Sequence, residues 1–176
     1  MKVSILFLVV FVLCVFACGE DKQQKLSALA VLANDSLITT NLNIYIDSCW
    51  NKHDTTFLSQ ISTEDFIRNL NGIPVASTKR EMQAHMYVFF TAFPDLKLKL
   101  GKSVKKGNTV FLHWTTSGTH TGVYGEADAT GKKVLVKGLS QLYFDTDGKL
   151  YGEDVVFNEL DFLQQLGYTL NLPVVE

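Results

Sequence analysis

The fold is decided by residues 133–158, KVLVKGLSQLYFDTDGKLYGEDVVFN. Apolar and polar residues alternate along Lys133–Asp145 and again along Lys149–Asn158, which is the pattern of strands that bury one face. Asp147-Gly148 lies between them and signals a tight turn, because glycine adopts the positive φ that such turns require. The stretch therefore predicts a hairpin of two long antiparallel strands.

Helical signals lie outside this hairpin. Apolar residues recur at helical spacing from Asp35 to Asn51, which predicts a helix there. Thr78-Lys79-Arg80-Glu81 is a capping box, whose hydroxyl and carboxylate can satisfy free backbone N–H groups at a helix start. The helix that it opens should end at Pro94, since residues before proline avoid the helical region. A last helix, Leu160–Leu166, is expected to stop at the following glycine.

The order of the elements predicts an α+β fold. A first strand, Ile61–Leu70, ends at the turn signal Asn71-Gly72, and antiparallel strands fill residues 97–158, with Thr109–Thr119 among them. So few helices cannot cover both faces of such a sheet. We therefore expect a curved antiparallel sheet, wrapped around the N-terminal helices, with an internal pocket at its open end.

Composition excludes some classes of partner. The 176 residues fit one ordinary domain and carry 16 Lys and Arg against 18 Asp and Glu, a net charge of −2. A weakly acidic chain lacks the basic surface of a nucleic-acid-binding protein, so no nucleic acid partner is expected. The four histidines are scattered without ligand spacing, and we expect no metal site.

The N-terminus predicts export. Lys2 precedes an uncharged run, Val3–Cys18, which is shorter than the roughly 20 residues that span a bilayer. The run ends in Ala17-Cys18, which resembles a bacterial lipobox. This resemblance implies a signal peptide of residues 1–17, cleavage before Cys18, a diacylglycerol on its thiol, and an exported protein held to a membrane by that lipid alone. A cleaved signal with an incidental Cys18 and a retained membrane helix are the alternatives.

The remainder of the chain divides into three parts under this hypothesis. Residues 18–33 form the lipidated cysteine and a polar tether, residues 34–170 form the domain, and residues 171–176 form a tail. With Cys14 removed and Cys18 acylated, only Cys49 remains, and one thiol makes no intramolecular disulfide. Cys49 falls on an apolar helical stripe, which predicts a buried structural cysteine.

Three motifs carry a family resemblance. They are Ala92-Phe93-Pro94-Asp95-Leu96; Ser117-Gly118-Thr119-His120-Thr121-Gly122 followed by Thr130-Gly131-Lys132; and Gly148-Lys149-Leu150 followed by Leu163-Gln164-Gln165-Leu166-Gly167. In this order they resemble the SnoaL-like polyketide cyclase family, within the nuclear-transport-factor-2-like superfamily, over roughly residues 34–168. The resemblance implies a cone-shaped α+β barrel with a deep apolar pocket and aldol ring closure without metal or cofactor.

The resemblance also implies an Asp near the end of the last strand as acid/base, because a carboxylate in an apolar pocket has a raised pKa. Counted without a gap between the flanking motifs, that Asp falls on Asn158, whose carboxamide does not titrate. A Trp frequent in the family falls on Asp154. Strand alternation then predicts that Asp154 and Asn158 share one face of the sheet.

These positions define the candidate site. Asp154 and Asn158 are the candidate catalytic residues, with His120 as a proton donor at the pocket mouth or, alternatively, as a hydrogen-bonded turn residue. A His that often ends the family's first strand falls on Asn69, which becomes a candidate ligand contact. The other candidate ligand contacts are aromatic residues that could equally serve the core: Trp50, Tyr87, Phe90 and Trp114.

Two functions remain open at this point. The chain could be a lipoprotein outside the cytoplasm whose apolar pocket binds a small molecule. It could instead be a cofactor-independent cyclase or isomerase, of the ester cyclase kind, that uses aldol or proton-transfer chemistry on a small carbonyl or polyketide-like substrate. Asn158 in place of the acid favours binding. The superfamily resemblance also admits a homodimer through the outer face of the sheet.

Overall fold

The computed structural model describes the backbone of residues 2–171 and the side chains of residues 23–171. The chain divides into two compact units, Met1–Ser36 and Leu37–Glu176, and the described part of the first is helical throughout. The predicted signal peptide and Cys18 lie outside the residues with described side chains, as do residues 172–176 of the predicted tail. Within residues 23–171, no helix has both the length and the apolar character needed to cross a bilayer.

Helix α1 spans Lys2–Ile44, so it begins well before the predicted Asp35. It continues into a π-helical turn, Tyr45–Trp50, that the sequence pattern does not reveal. In an α-helix two residues five apart point roughly 140° away from each other. The wider π turn instead brings the rings of Tyr45 and Trp50 together, edge to face, with their centroids 6.3 Å apart.

The other helices follow the predicted signals. A 3-10 turn, Thr55–Phe57, leads into the short α2, Leu58–Ile61. Helix α3, Lys79–Ala92, begins as the capping box predicts, because the Thr78 hydroxyl accepts a hydrogen bond from the Glu81 N–H at 3.1 Å. Helix α4 spans Glu159–Leu166 and ends at Gly167, whose φ of +108° is in the left-handed region.

Six strands form one sheet in the order β2-β1-β6-β5-β4-β3. Their bounds are β1 Ser62–Leu70, β2 Ile73–Ala76, β3 Lys97–Lys106, β4 Thr109–Thr119, β5 Lys133–Phe144 and β6 Leu150–Phe157. The predicted α+β fold with a curved, mostly antiparallel sheet is confirmed. One neighbouring pair, β1 and β6, is parallel. Strand β2 had not been predicted.

The hairpin that decided the fold is present. The Asp145 carboxylate accepts hydrogen bonds from the backbone N–H groups of Asp147 at 2.9 Å and Lys149 at 2.7 Å, and so closes the turn. Gly148 has a φ of +70°, and a Cβ there would meet Leu37 Cβ at 2.7 Å. Both the backbone conformation and the space therefore require glycine at this position.

Helix α4 completes the sheet where a strand is lacking. Strand β6 pairs with β5 only from Gly138 onward, so the start of β5 has no strand on that side. The side chain of Gln165 fills this place: its carbonyl accepts from the Leu135 N–H at 2.8 Å and its amide donates to the Leu135 carbonyl at 3.1 Å. The helix is thereby fixed across one end of the inner face.

Candidate ligand-binding site

A cavity lies between the inner face of the sheet and the helices that cover it. Its volume is about 70 Å³. Strands β4, β5 and β6, the π turn and helix α4 all contribute to the wall, which is mainly aromatic and aliphatic: Trp50, Phe89, Phe93, Trp114, Phe157 and Phe162 are among its residues. Such a wall suits an apolar ligand.

Polar groups converge at one part of this wall. Tyr45 Oη donates a hydrogen bond to Glu153 Oε2 at 2.6 Å. Arg68 Nη1 forms a salt bridge with the same carboxylate oxygen and also lies 3.3 Å from Tyr45 Oη. The side chains of Arg68 and Glu153 are only 7% and 6% exposed. An ion pair this deeply buried is tolerated because its two charges compensate each other.

The parallel pairing of β1 and β6 creates this cluster, because it sets Arg68 directly beside Glu153. The guanidinium carbon of Arg68 also lies 5.3 Å from the centroid of the Trp50 ring, a cation–π arrangement that holds it against the π turn. Among residues 23–171, Arg68 Nη2 and Glu153 Oε1 have no hydrogen-bond partner, and Arg68 Nε is buried without one. The cluster therefore keeps hydrogen-bonding capacity.

Tyr45 remains a hydrogen-bond donor in this cluster. Burial, and then the negative charge of Glu153, raise the pKa of Tyr45 well above its usual value. The phenol is therefore protonated at neutral pH, and the cluster as a whole is one cation, one anion and one neutral hydroxyl.

The sequence of this domain matches a family model described as SnoaL-like polyketide cyclase over residues 41–166. The chain belongs to the SnoaL-like polyketide cyclase family. The resemblance drawn from the three motifs is thus confirmed. Search of curated proteins found no match for this SnoaL-like chain.

Solved structures agree with this SnoaL-like fold. A protein assigned as a SnoaL-like polyketide cyclase from Jannaschia superposes with a TM-score of 0.70 at 16% identity, covering 77% of this chain and 94% of that one. AclR from Streptomyces galilaeus, assigned as a hydroxylase, gives 0.65 at 24% identity, with 81% and 86% covered. IdmH from Streptomyces antibioticus, assigned as a polyketide cyclase, gives 0.63 at 18% identity, with 74% and 99% covered.

The predicted pair Asp154 and Asn158 does not face the cavity of the SnoaL-like domain. Asp154 lies on the outer face of the sheet, where its carboxylate accepts hydrogen bonds from Asn69 Nδ2 at 2.7 Å and Tyr143 Oη at 2.5 Å. Asn158 lies beyond the end of β6, is exposed, and caps α4 by accepting from the Asp161 N–H at 3.0 Å. The prediction that both residues point into one pocket is wrong.

A bulge explains this error. Phe144 pairs with Leu150 but the preceding Tyr143 pairs with Gly152, so β6 holds one extra residue, Tyr151, at this point. The extra residue shifts the alternation by one, and beyond it Glu153, Val155 and Phe157 line the cavity. Counting from Leu150 at a strict period of two, as the sequence suggests, selects the opposite face.

Asn69, the candidate ligand contact, does not line the cavity either. It lies beside Asp154 on the outer face, and the residue before it, Arg68, faces inward. Sequence reasoning therefore missed both charged residues of the cavity, Arg68 and Glu153. The available signal was a lone arginine within a strand that was expected to bury one face.

Two of the four aromatic candidates line the cavity. Trp50 and Trp114 are part of the wall, and Trp114 Nε1 donates to Ser140 Oγ at 3.0 Å. Phe90 instead packs behind the wall, stacked on His53 with centroids 4.2 Å apart, and Tyr87 is 53% exposed. The adjacent Phe89 takes the place predicted for Phe90. Whether Trp50 and Trp114 contact a ligand stays a prediction.

His120 is a buried turn residue and is not part of the cavity wall. Its Nδ1 accepts from the Thr130 N–H at 3.3 Å and lies 3.0 Å from the Thr130 hydroxyl, while its backbone carbonyl accepts from the Gly131 N–H at 2.8 Å. These bonds hold the start and end of the loop between β4 and β5 together. His120 is therefore a hydrogen-bonded turn residue, which was one of the two alternatives. The other alternative, a proton donor at the pocket mouth, is wrong about its position.

The described residues hold one free cysteine, which is buried, and no cluster of metal-binding side chains. Cys49 is fully buried, as predicted, and burial raises the pKa of its thiol to about 12. It is therefore an unreactive thiol at neutral pH. Among the residues with described side chains, no three His, Cys, Asp or Glu side chains come together as metal ligands would.

Proposed function

We propose that this SnoaL-like protein binds a small, largely apolar molecule in its cavity. The observation that carries the proposal is the distribution of charge: among the described residues that line the cavity, only Arg68 and Glu153 are charged, and they lie together. The aromatic wall would bury the body of the ligand, worth about 25 cal/mol for each Å² of apolar surface removed from water. The polar cluster would fix its orientation.

The test is mass spectrometry of small molecules retained by the natively purified full chain. Val136 lines the cavity and Leu139, on the same strand, is 48% exposed on the outer face. Val136→Trp should fill the cavity and abolish retention, and Leu139→Trp should leave it unchanged. A set of retained molecules that is the same for the parent and for Val136→Trp would overturn the proposal.

Cofactor-independent cyclase or isomerase chemistry is the second candidate. Glu153 favours it, because this carboxylate is carried by the last strand and lines the cavity, beside two groups that can stabilise a developing oxyanion. In such a reaction Glu153 would accept the proton from a carbon next to a carbonyl group, and Arg68 or Tyr45 would hydrogen-bond the enolate oxygen.

Two isosteric variants separate this candidate from simple binding. Glu153→Gln removes the carboxylate of the cavity, and Asp154→Asn removes its neighbour on the outer face. Loss of turnover on an enolisable ketone in Glu153→Gln alone would support catalysis. Equal turnover in both variants would exclude Glu153 as the base.

We also infer that the protein is exported and held to a membrane by diacylglycerol on Cys18. Support comes from Lys2, the uncharged run that follows, and Ala17 before the cysteine. The SnoaL-like domain would then meet ligands that reach the outside of the cytoplasm.

A further inference from the structure

We propose that the cavity selects an uncharged ligand that presents a hydrogen-bond acceptor next to a hydrogen-bond donor, as a carboxamide or lactam does. This inference rests on the proposed binding function and narrows it to a chemical class. It follows from two properties of the Arg68–Glu153 pair, its charge balance and its unused hydrogen-bonding atoms.

The charge balance disfavours ionised ligands. The positive charge of Arg68 is compensated by Glu153, and no other charged side chain is among the described residues of the cavity wall. A ligand carboxylate would meet Glu153 as well as Arg68, and a ligand ammonium would meet both in the same way. Either charge would lose its hydration without gaining a counter-charge of its own, which is costly in an apolar site.

The unused atoms specify a mixed donor and acceptor. Arg68 uses only Nη1 in hydrogen bonds to residues 23–171, and Glu153 uses only Oε2. An arginine nitrogen can only donate, and a carboxylate oxygen can only accept. Because Arg68 Nη1 and Glu153 Oε2 form the salt bridge, the unused donor and acceptor belong to one ion pair. A carboxamide offers a carbonyl oxygen to the first and an N–H to the second.

The rest of the wall favours a flat apolar body on that ligand. Trp50 lies beside the guanidinium, and Trp114 and Phe157 lie edge to face with their centroids 6.1 Å apart. Aromatic rings of this kind pack well against planar groups. We therefore expect an aromatic or unsaturated carboxamide to bind better than an aliphatic one.

Three probes of matched shape test the inference: naphthalene-2-carboxamide, 2-naphthoate and 2-naphthylmethylamine. Each is titrated into the full chain in detergent and followed by saturation-transfer NMR, with Val136→Trp as the control for binding outside the cavity. The carboxamide should bind about tenfold or more tighter than either charged probe, because only the charged probes lose hydration uncompensated. Naphthoate or amine binding in the cavity as tightly as the carboxamide would overturn the inference and leave the proposed function standing. The inference would also fail if the carboxamide did not bind, or if it bound equally to the parent and to Val136→Trp. The proposed function would still stand, because the retention of natural molecules is measured in a separate experiment.

Charge variants give the reciprocal test. Glu153→Gln leaves Arg68 without its counter-charge, so the preference should shift by about tenfold or more towards naphthoate. Arg68→Met should shift it towards the amine. Asp154→Asn, on the outer face, should rank the affinities of the three probes as the parent does. If Glu153→Gln folds and ranks the affinities of the three probes as Asp154→Asn does, the inference is contradicted. If Glu153→Gln does not fold, the ranking of affinities measured on the parent decides.

Discussion

Arg68 and Glu153 lie side by side on the parallel strands β1 and β6, with both side chains on the cavity wall, although 85 residues separate them in the chain. Each is the inward neighbour of a residue, Asn69 or Asp154, that bonds to its counterpart on the outer face. The two strands are therefore joined by a polar pair on each side of the sheet, of which only the inner one is buried.

This arrangement predicts unequal costs of substitution. Arg68→Ala should lower the free energy of unfolding by about 3–5 kcal/mol, because it leaves the buried Glu153 carboxylate without a counter-charge. Asp154→Ala, on the half-buried outer side, should cost about 1 kcal/mol for its hydrogen bonds. The double variant Arg68→Met/Glu153→Leu should recover most of the loss. Urea unfolding measures all three, and equal costs for the two single variants would contradict the prediction.

His85 should make stability depend on acid. Burial, and then the charge of Arg68, lower the pKa of His85 to about 4 from its usual 6.5, and its Nε2 is buried without a partner among the described residues. The unfolded chain therefore binds the proton first as the pH falls. The protein therefore loses stability as the pH falls from about 6.5 to about 4, by about 3 kcal/mol at 1.36 kcal/mol for each pH unit.

Urea unfolding of the parent, of His85→Gln and of His113→Gln at pH 7 and pH 4.5 measures this effect. His113 is exposed on the outer face and serves as the matched control. The loss of stability between the two pH values should be smaller in His85→Gln and unchanged in His113→Gln. An unchanged loss in both variants would show that other groups cause the acid sensitivity.

Replacing Gly138 by alanine should destabilise the protein, because the added Cβ would collide with Trp114. A Cβ at residue 138 would lie 2.2 Å from the indole, so the ring that forms part of the cavity wall would have to move. Gly138→Ala should cost about 1–3 kcal/mol and shift the tryptophan fluorescence. Gly152→Ala is the control, since its nearest neighbours are 3.4 Å away, at ordinary contact distance. Similar fluorescence spectra for both variants would argue against the prediction.

Cys18 should carry the lipid. When the full chain is expressed in a bacterium with an alkynyl fatty acid, the parent and Cys14→Ala should be labelled and Cys18→Ala should not. The reason is that only Cys18 follows a small residue, Ala17, at the end of the uncharged run. Equal labelling of Cys18→Ala and the parent would exclude this site.

The outer face of the sheet should join two copies of the chain. Val104, Phe111, Leu139 and Val156 are between 43% and 66% exposed on four adjacent strands, and clustered apolar surface of this kind marks interfaces. A two-fold axis would bury the same patch from both copies. Light scattering of the full chain in detergent should show a dimer for the parent and for Lys137→Gln, and a monomer for Phe111→Glu. A monomeric parent would contradict the prediction.

Local signals in the sequence predicted local structure well. The capping box at Thr78, the turn at Asp147-Gly148 and the end of α4 at Gly167 each depend on a few neighbouring residues, and each is present. The inner and outer faces of β6 could not be predicted, because the bulge at Tyr151 shows only in the pairing with β5. The π turn is equally invisible, since its apolar residues also fit α-helical spacing.

The candidate site was predicted less well than the local structure, because it depends on which strand residues face inward. Its composition was partly foreseen, since Trp50 and Trp114 do line the cavity. Its charged members were not, because a shift of one residue along a strand exchanges every inward side chain for an outward one. Only the contact between β1 and β6, which links distant parts of the chain, identifies Arg68 and Glu153 as a pair.

The position of β6 in the middle of the sheet has a consequence for biogenesis. Residues 62–76 can form the β1–β2 hairpin early, but the strand that joins it to β5 is completed only at residue 157. Until then the strands can form at most two separate fragments of the sheet with open edges, and distant strand pairing is intrinsically slow. A ribosome or an export channel that still holds residues 150–157 would keep the cavity from closing. Folding should therefore follow the release of the chain through residue 157, and truncation before residue 150 should yield an aggregating product instead of a smaller domain.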